Sequence, residues 1–497
     1  MNIFKKYWYS FLLLLIILFG VLLRLKGLLI NPSMWHDECA LGWNIKFKTY
    51  SDFLGILRFM QMAPPFFMVA TKLMTKILGF SDIVLRLLPF FAGISSIVAF
   101  YLLASKTLKS KFAVICAVFF FAINQQLINY SFEFKPYNFD VLFTIICLLF
   151  FIKLNIEKLS MKKILFYGIL LSLVPWFSFV SIFIIAGGFL NLNTIKPEVL
   201  KNVNWLSFPP HLRGRVRVGG LQLLLALPII ISGLVYLKLY LVNNYIGGSH
   251  MISYWQNSFV TSNPFFFLHL AVENLKYFFF PSKYALFMLI LLTWGTVIFL
   301  REKSQFINIS LTSFILLIIA SFLHFYPFAN RLVLLLLPIF LLLILKPLDL
   351  IVFNKKIKSF IIISLMFFTF SPQIFQIKDF IATKSISKGE HPREMTEALV
   401  KSLKDGDIIF VSNSANTEFA YYSSFYDIKN HLIQEPQHSK TSEVLNSLEK
   451  GRNYWFYLTF GDSKPILEWI NKNAKIIQNF HAEQSNDYLI YIHLPKD

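Results

Sequence analysis

Apolar runs of about twenty residues recur from Trp8 to Phe375, and no other feature limits the fold of this chain so strongly. A run of that length in a bilayer must satisfy its own backbone hydrogen bonds, which leaves the helix as its form. Of 497 residues, 56% are hydrophobic and 15% are charged, a balance that a water-soluble domain does not have. The expectation is therefore an α-helical polytopic membrane protein with about eleven transmembrane helices. Lys5 and Lys6 precede the first run with no small-residue cleavage site after it. That run reads as a retained anchor starting on the cytoplasmic side.

The later runs follow the same charge logic. Spans are expected at about 83–104, 112–128 and 140–151, with basic turns at Lys106, Lys109 and Lys111 and at Lys153, Lys158, Lys162 and Lys163 on the inside. The stretch 164–190 is too long for one helix and breaks at Pro175-Trp176, giving two short spans. Further spans are expected at about 221–241, after the basic loop with Arg213, Arg215 and Arg217, then one ending at Arg301 and Lys303, one ending at His324, and two at about 332–345 and 359–375, with a long outer loop at 243–281. Between residues 31 and 81 the chain is not apolar enough to span. It reads as two amphipathic helices on the outer interface, broken at Pro64-Pro65. The membrane domain is thus placed at 1–375.

From residue 376 the composition changes. EMTEALVKSLKDG and KPILEWINKN are helix-like, whereas DIIFVS, NYWFYLTF, KIIQNF and YLIYIHL are short strand-like runs. A small α/β domain is expected over 376–497, outside the membrane, without catalytic residues. The net charge of +20 does not point to nucleic acid. Beyond Ser371 acids slightly outnumber bases, so the basic excess lies in the membrane half, where it marks cytoplasmic loops. Cys39, Cys116 and Cys147 are too few and too scattered for a disulfide framework.

Three groups of polar residues stand out at the expected outer edge. The first is Asp37-Glu38 in NPSMWHDECALGW, flanked by Trp35 and Trp43; carboxylates at a membrane edge are costly and usually mark a function or a partner, the plainer alternative being a solvated loop end. The second is YSFEFKPYNFD, where Glu133, Lys135 and Tyr137 alternate. Lys135 there could meet a lipid phosphate, or it could snorkel and pair with Glu133. The third is Arg331 in ANRLVLLLLP, a cation on the side that positive-inside bias disfavours. It could grip a phosphate or anchor a helix end. Arg24, Arg58 and Arg86 are intramembrane or interfacial arginines of the kind that pair with carboxylates for packing, and Arg58 is a candidate partner of Asp37.

The order of these pieces resembles the GT-C superfamily of membrane glycosyltransferases, in particular the group of protein O-mannosyltransferases and the lipid A aminoarabinose transferase. That group has an Asp-Glu pair after the first span, a Pro-Pro pair, an Arg-Leu opening the next span, and a Tyr-Ser-x-Glu-x-Arg-x-Tyr loop. This chain has Asp37-Glu38, Pro64-Pro65, Arg86-Leu87 and Tyr130-Ser131-x-Glu133-x-Lys135-x-Tyr137. Arg331 and Pro338 match a late span that opens with Arg. The resemblance covers residues 1–190 and thins beyond. Lys135 stands where Arg is usual, offering one point charge instead of a fork.

The resemblance implies transfer of a hexosyl or pentosyl group from a polyprenyl-phosphate donor to a lipid, glycan or protein hydroxyl on the outer face. Asp37 would be the base, and Glu38, beside it in the catalytic pair, would orient the acceptor or hold a cation of the interfacial helices. Lys135, Arg331 and Tyr137 would bind the donor phosphate, with Glu133, Arg58 and Arg86 in support. His36 and His250 could join a carboxylate on a divalent metal, but their spacing makes no ligand set and none is expected. A flippase of lipid-linked sugars, or a non-catalytic scaffold carrying the outer domain, stands as the alternative.

Overall fold

The apolar runs become a bundle of helices, followed by a sheet packed with helices on both faces. In the computed structural model the described residues are 3–192, 210–241, 253–279, 284–350, 356–383, 390–426, 428, 432–434, 441–459, 463–481 and 487–496. The bundle starts with α1 (Ile3–Ile30), followed by α2 (His36–Phe47), α3 (Pro65–Leu78), α4 (Asp82–Thr107), α5 (Lys111–Ala122), α6 (Gln125–Asn129) and α7 (Tyr137–Lys153). Next come α8 (Met161–Leu173) and α9 (Ser181–Leu190), separated by a 3-10 turn at Val174–Trp176 where Pro175 interrupts the helix. The bundle ends with α10 (Pro210–Tyr236), α11 (Pro264–Phe279), α12 (Ala285–Arg301), α13 (Gln305–Phe322), α14 (Leu337–Leu345) and α15 (Lys356–Ala382).

Among the described residues, five helical stretches are long and apolar enough to cross a membrane: 7–30, 82–107, 220–239, 305–322 and 330–350. Shorter apolar helices lie at 111–122, 181–190 and 285–301. The stretch 220–239 is only 6% buried and faces outward, whereas 330–350 is 83% buried and runs through the middle of the bundle. That central stretch is not a plain helix. Asn330–Leu336 is a 3-10 turn and only Leu337–Leu345 is α-helical. Pro338 explains this: it is accepted in the first turn of α14, while its missing N–H and ring prevent regular helix from continuing through it. The expected outer loop 243–281 contains α11, a Phe-rich helix that packs on this turn.

The segment 31–81 holds two α-helices of unlike character. α3 begins at Pro65 and buries Phe67, Met68, Thr71 and Thr75 while exposing Leu73, Ile77 and Leu78, as an amphipathic helix should. α2 is instead covered on both sides, with Glu38, Cys39, Leu41, Asn44 and Ile45 all buried. Its second cover comes from the C-terminal unit.

That unit begins beyond α15, which runs through the expected boundary at residue 376. It comprises α16 (Pro392–Ser402), β1 (Ile408–Val411), α17 (Asn416–Tyr422), β2 (Leu432–Gln434), α18 (Thr441–Asn446), β3 (Asn453–Leu458), α19 (Ser463–Asn473), β4 (Lys475–His481) and β5 (Tyr488–His493). Strand order is β2-β1-β3-β5-β4, parallel across β2, β1 and β3 and antiparallel at β5 and β4. Alternate residues feed two cores. Ile409, Val411, Trp455 and Tyr457 meet Met395 and Leu399 of α16 and Phe419 of α17, while Phe410, Phe456 and Ile490 meet Ile466 and Ile470 of α19.

Candidate active site

Two features of α2 explain where Asp37 and Glu38 point. α1 ends at Asn31, in a left-handed conformation (φ 47°) that asparagine tolerates better than most residues. The chain then turns through Pro32 and enters α2 at His36, leaving Asp37 and Glu38 in the first turn. Adjacent residues on a helix point in different directions.

Glu38 turns inward. It is almost fully buried, and its two oxygens each accept a 2.9 Å bond from Arg86, from Nε and from Nη2. Phe134 N donates to it as well, at 2.6 Å. Arg86 Nη1 donates to Asn31 Oδ1 and Pro32 O. The pair thus ties α2, α4, the end of α1 and the 130–136 loop together. Of the two roles expected for Glu38, the geometry departs from orienting the acceptor and is nearer to holding a cation, here Arg86 of α4: both its oxygens are engaged in a buried fork.

Asp37 turns the other way, into a cleft. Its Oδ2 lies 3.0 Å from Arg331 Nη2 and 3.3 Å from Lys135 Nζ, and its Oδ1 accepts from Gln61 Nε2 at 3.3 Å. Gln61 Oε1 accepts from Lys135 at 3.0 Å, closing the circuit. Burial works to raise the Asp37 carboxyl, but the charges of Lys135, Arg331 and His36 outweigh it and hold the group down at about 2. Burial in turn pulls the Lys135 ammonium below its ordinary range, against the attraction of Asp37.

Trp35 lies under both cations, with Arg331 5.1 Å and Lys135 5.9 Å from its ring, and its indole N–H donates to Glu133 at 3.0 Å. Tyr137 is buried and packs edge-on against Tyr130. Tyr130 and Tyr277 share a hydroxyl–hydroxyl hydrogen bond. A cavity of about 410 Å³ lined by Tyr130, Tyr254, Trp255, Ser258, Tyr277 and Asn330 opens beside Arg331. Arg331 Nε is buried with no partner among the described residues.

Three expected residues lie elsewhere or do other work. Arg58 is not the partner of Asp37; its guanidinium stacks on Trp43, 4.4 Å from the ring, because α2 presents Trp43 one face away from Asp37. Arg86 serves Glu38 and does not reach the cleft. His250 lies outside the described residues. Among the described residues no group of three or more His, Cys, Asp or Glu is arranged to hold a metal ion.

Some site residues went unnoticed in the sequence. Gln61 bridges Asp37 and Lys135. Asn274 of α11 accepts from Asn330 N at 2.6 Å, fixing the left-handed residue (φ 51°) that aims Arg331. The Asn-Arg dipeptide was a usable signal, since asparagine before a buried turn favours that conformation. Gln61 gave none.

The family model for dolichyl-phosphate-mannose-protein mannosyltransferases matches residues 62–207. The crystal structure of ArnT from Cupriavidus metallidurans, bound to undecaprenyl phosphate, superposes with a TM-score of 0.58 at 10% identity, over 96% of this chain and 97% of that one. An Archaeoglobus fulgidus oligosaccharyltransferase in the apo form gives 0.51 at 14% identity, over 85% of this chain and 64% of that one. No curated protein matches the sequence significantly. The chain has the fold of the GT-C membrane glycosyltransferases, and within that fold its residues 62–207 match the dolichyl-phosphate-mannose-protein mannosyltransferase family.

Proposed function

We propose that this protein transfers a glycosyl group from a polyprenyl-phosphate donor to an acceptor hydroxyl at the extracytoplasmic surface. The observation that carries the reading is the Asp37 carboxylate held between Lys135 and Arg331, the latter lining a cavity. A donor of this kind needs three things: lipid-facing walls for its tail, cations for its phosphate and a base beside its sugar carbon. The apolar bundle, the two cations and Asp37 meet those needs. In this reading the sheet unit beyond α15 stands outside the membrane as a separate domain and shapes the acceptor side.

The chemistry is a single displacement. The acceptor oxygen attacks the anomeric carbon and its proton passes to Asp37. The bond from that carbon to the phosphate oxygen breaks, and the polyprenyl phosphate leaves with the electron pair, its charge held by Arg331 and Lys135. The anomeric configuration inverts. Glu38 and Arg86 act through the backbone by holding the α2 turn.

The resting ion pairs give the reaction an order. A carboxylate held at about 2 is a weak base near neutral pH. A donor phosphate competes for Arg331 and Lys135, and as it takes them the carboxyl rises and becomes a useful base. The donor thus binds first and switches on the group that activates the acceptor.

The test is transfer from radiolabelled polyprenyl-phosphate sugars by the purified protein in lipid nanodiscs. Labelled product, lost in Asp37→Asn, supports the reading. Movement of the labelled lipid between leaflets of proteoliposomes, with no bond formed, would favour a flippase instead.

A further inference from the structure

The C-terminal unit reaches back to the helix that carries Asp37. Met34 N donates to Tyr422 Oη at 2.9 Å. Lys46 Nζ donates to Ser424 O at 2.8 Å and lies 3.7 Å from the Phe425 ring. Gly42 is where α17 crosses α2; a Cβ there would stand 2.6 Å from the Tyr421 ring, so only glycine allows this approach. Arg393, Tyr421 and Tyr422 all bond to the Asp82 carboxylate at the start of α4.

The first turn of α2 receives the most specific of these contacts. Trp35, the residue at the helix cap, makes no side-chain cap bond. The helix-terminal N–H of His36 is satisfied instead by Glu390 Oε2 at 2.8 Å, from the segment before α16. The His36 ring donates from Nδ1 to Glu418 Oε1 at 2.8 Å. Glu418 lies on α17 with its side chain fully buried, and its Oε2 has no partner among the described residues. His391 N donates to Asp487 Oδ2 at 2.6 Å nearby. A buried carboxylate facing one imidazole favours that imidazole in its charged form.

We infer that Glu418 is a positioning residue: its ion pair with His36 fixes the first turn of α2 from the C-terminal unit, so that the placing of Asp37 depends on a proton at His36. This deepens the glycosyl-transfer reading and rests on it for the catalytic consequence. The groups facing His36 are Glu418 from α17, Glu390 from the segment before α16, and Asp37 on its own helix. Lys135 and Arg331 stand beyond Asp37, and Asp487 stands beside Glu390 and Glu418. Three of the near neighbours are carboxyls, and they raise the imidazole against the effect of its burial. A raised histidine gives stability that is whole below its unfolded value and is lost as pH rises through its folded one. The grip on α2 therefore loosens as pH rises above the ordinary histidine range.

The test compares wild type, Glu418→Gln and His36→Asn in full-length protein, by thermal midpoint and by turnover between pH 5.5 and 9. Gln keeps an acceptor without the charge, and Asn keeps a donor near Nδ1 without the titration. Both variants are expected to flatten the pH dependence of the midpoint. The alkaline fall in turnover is expected to start at lower pH in Glu418→Gln, with turnover at pH 8 down about tenfold or more, as for a small misplacement of a catalytic group. An unchanged midpoint profile in both variants overturns the ion-pair latch. A shifted midpoint with an unshifted turnover profile overturns the positioning role. If wild type transfers nothing while the midpoints shift, the transfer reading falls and the latch stands on stability alone.

Discussion

Arg331 and Asp37 are 294 residues apart in sequence and 3.0 Å apart in space. The contact joins the 3-10 turn before α14 to the first turn of α2, and it opposes a base to the cation that would hold the leaving group. The two proposed roles pull against each other in the resting protein, and this conflict makes the site testable.

Asp37→Asn removes the base and keeps the shape. Turnover should fall by about 10²–10⁴-fold, the usual contribution of a general base. Affinity for undecaprenyl phosphate should rise, because the phosphate no longer competes with a carboxylate for Lys135 and Arg331. Native mass spectrometry of lipid binding, run beside the transfer assay, measures both. An Asn variant with wild-type turnover would sink the assignment.

Arg331→Ala should weaken binding of undecaprenyl phosphate more than Lys135→Ala, since a guanidinium can hold two phosphate oxygens and an ammonium acts as a point. Loss of a charged hydrogen bond costs about 1.5–3 kcal/mol, or roughly 10–10²-fold in affinity. Equal and unchanged affinities in both variants would place the phosphate elsewhere.

Glu38→Gln leaves Arg86 buried without its counter-charge. Breaking such a pair costs about 3–5 kcal/mol, so the melting temperature in detergent should drop clearly. Turnover per folded molecule should fall, but by less than in Asp37→Asn, because Glu38 acts by holding the α2 turn and does not itself take the proton. A stable but inactive variant would return Glu38 to the chemistry.

The acidic seam between α2 and the C-terminal unit should respond to pH. Burial raises the Glu390 carboxyl to about 8, helped by the Glu418 charge, and burial raises Asp487 to about 7. Both lie above their ordinary values, so their contribution is whole below about pH 4 and is lost as pH climbs to about 8. Glu390→Gln cannot ionise and should melt higher than wild type at pH 8.5 but not at pH 5. Calorimetry at the two pH values checks the sign.

The sequence was most informative where one physical cue sufficed. Apolar length marked the helices, Pro175 marked a break, and the runs around Ile409, Phe456, Ile476 and Ile490 marked strands. β2 was missed, being only three residues long. α17 was missed because NTEFAYY has no helical period that outweighs its aromatics. In the site, Asp37, Lys135 and Arg331 were found as charges in costly places. Which carboxylate of the pair faces the cleft was not readable, since it depends on the rotation of α2. That rotation is set by Arg86 on one side and by Tyr421 against Gly42 on the other. Nothing in the sequence around Glu390 or Glu418 marks them as partners of His36; only the fold brings them there.

The seating of α2 beneath the C-terminal unit has a consequence for biosynthesis. Glu390 lies 354 residues after the amide it caps. At ordinary translation rates the ribosome needs roughly 20–70 s to cover that distance. Throughout that interval α2 can be held by Arg86, Gln61 and Lys135, but Arg331, Glu390 and Glu418 are not yet made. A nascent or truncated chain therefore carries Asp37 on a turn that lacks its clamps from the C-terminal unit.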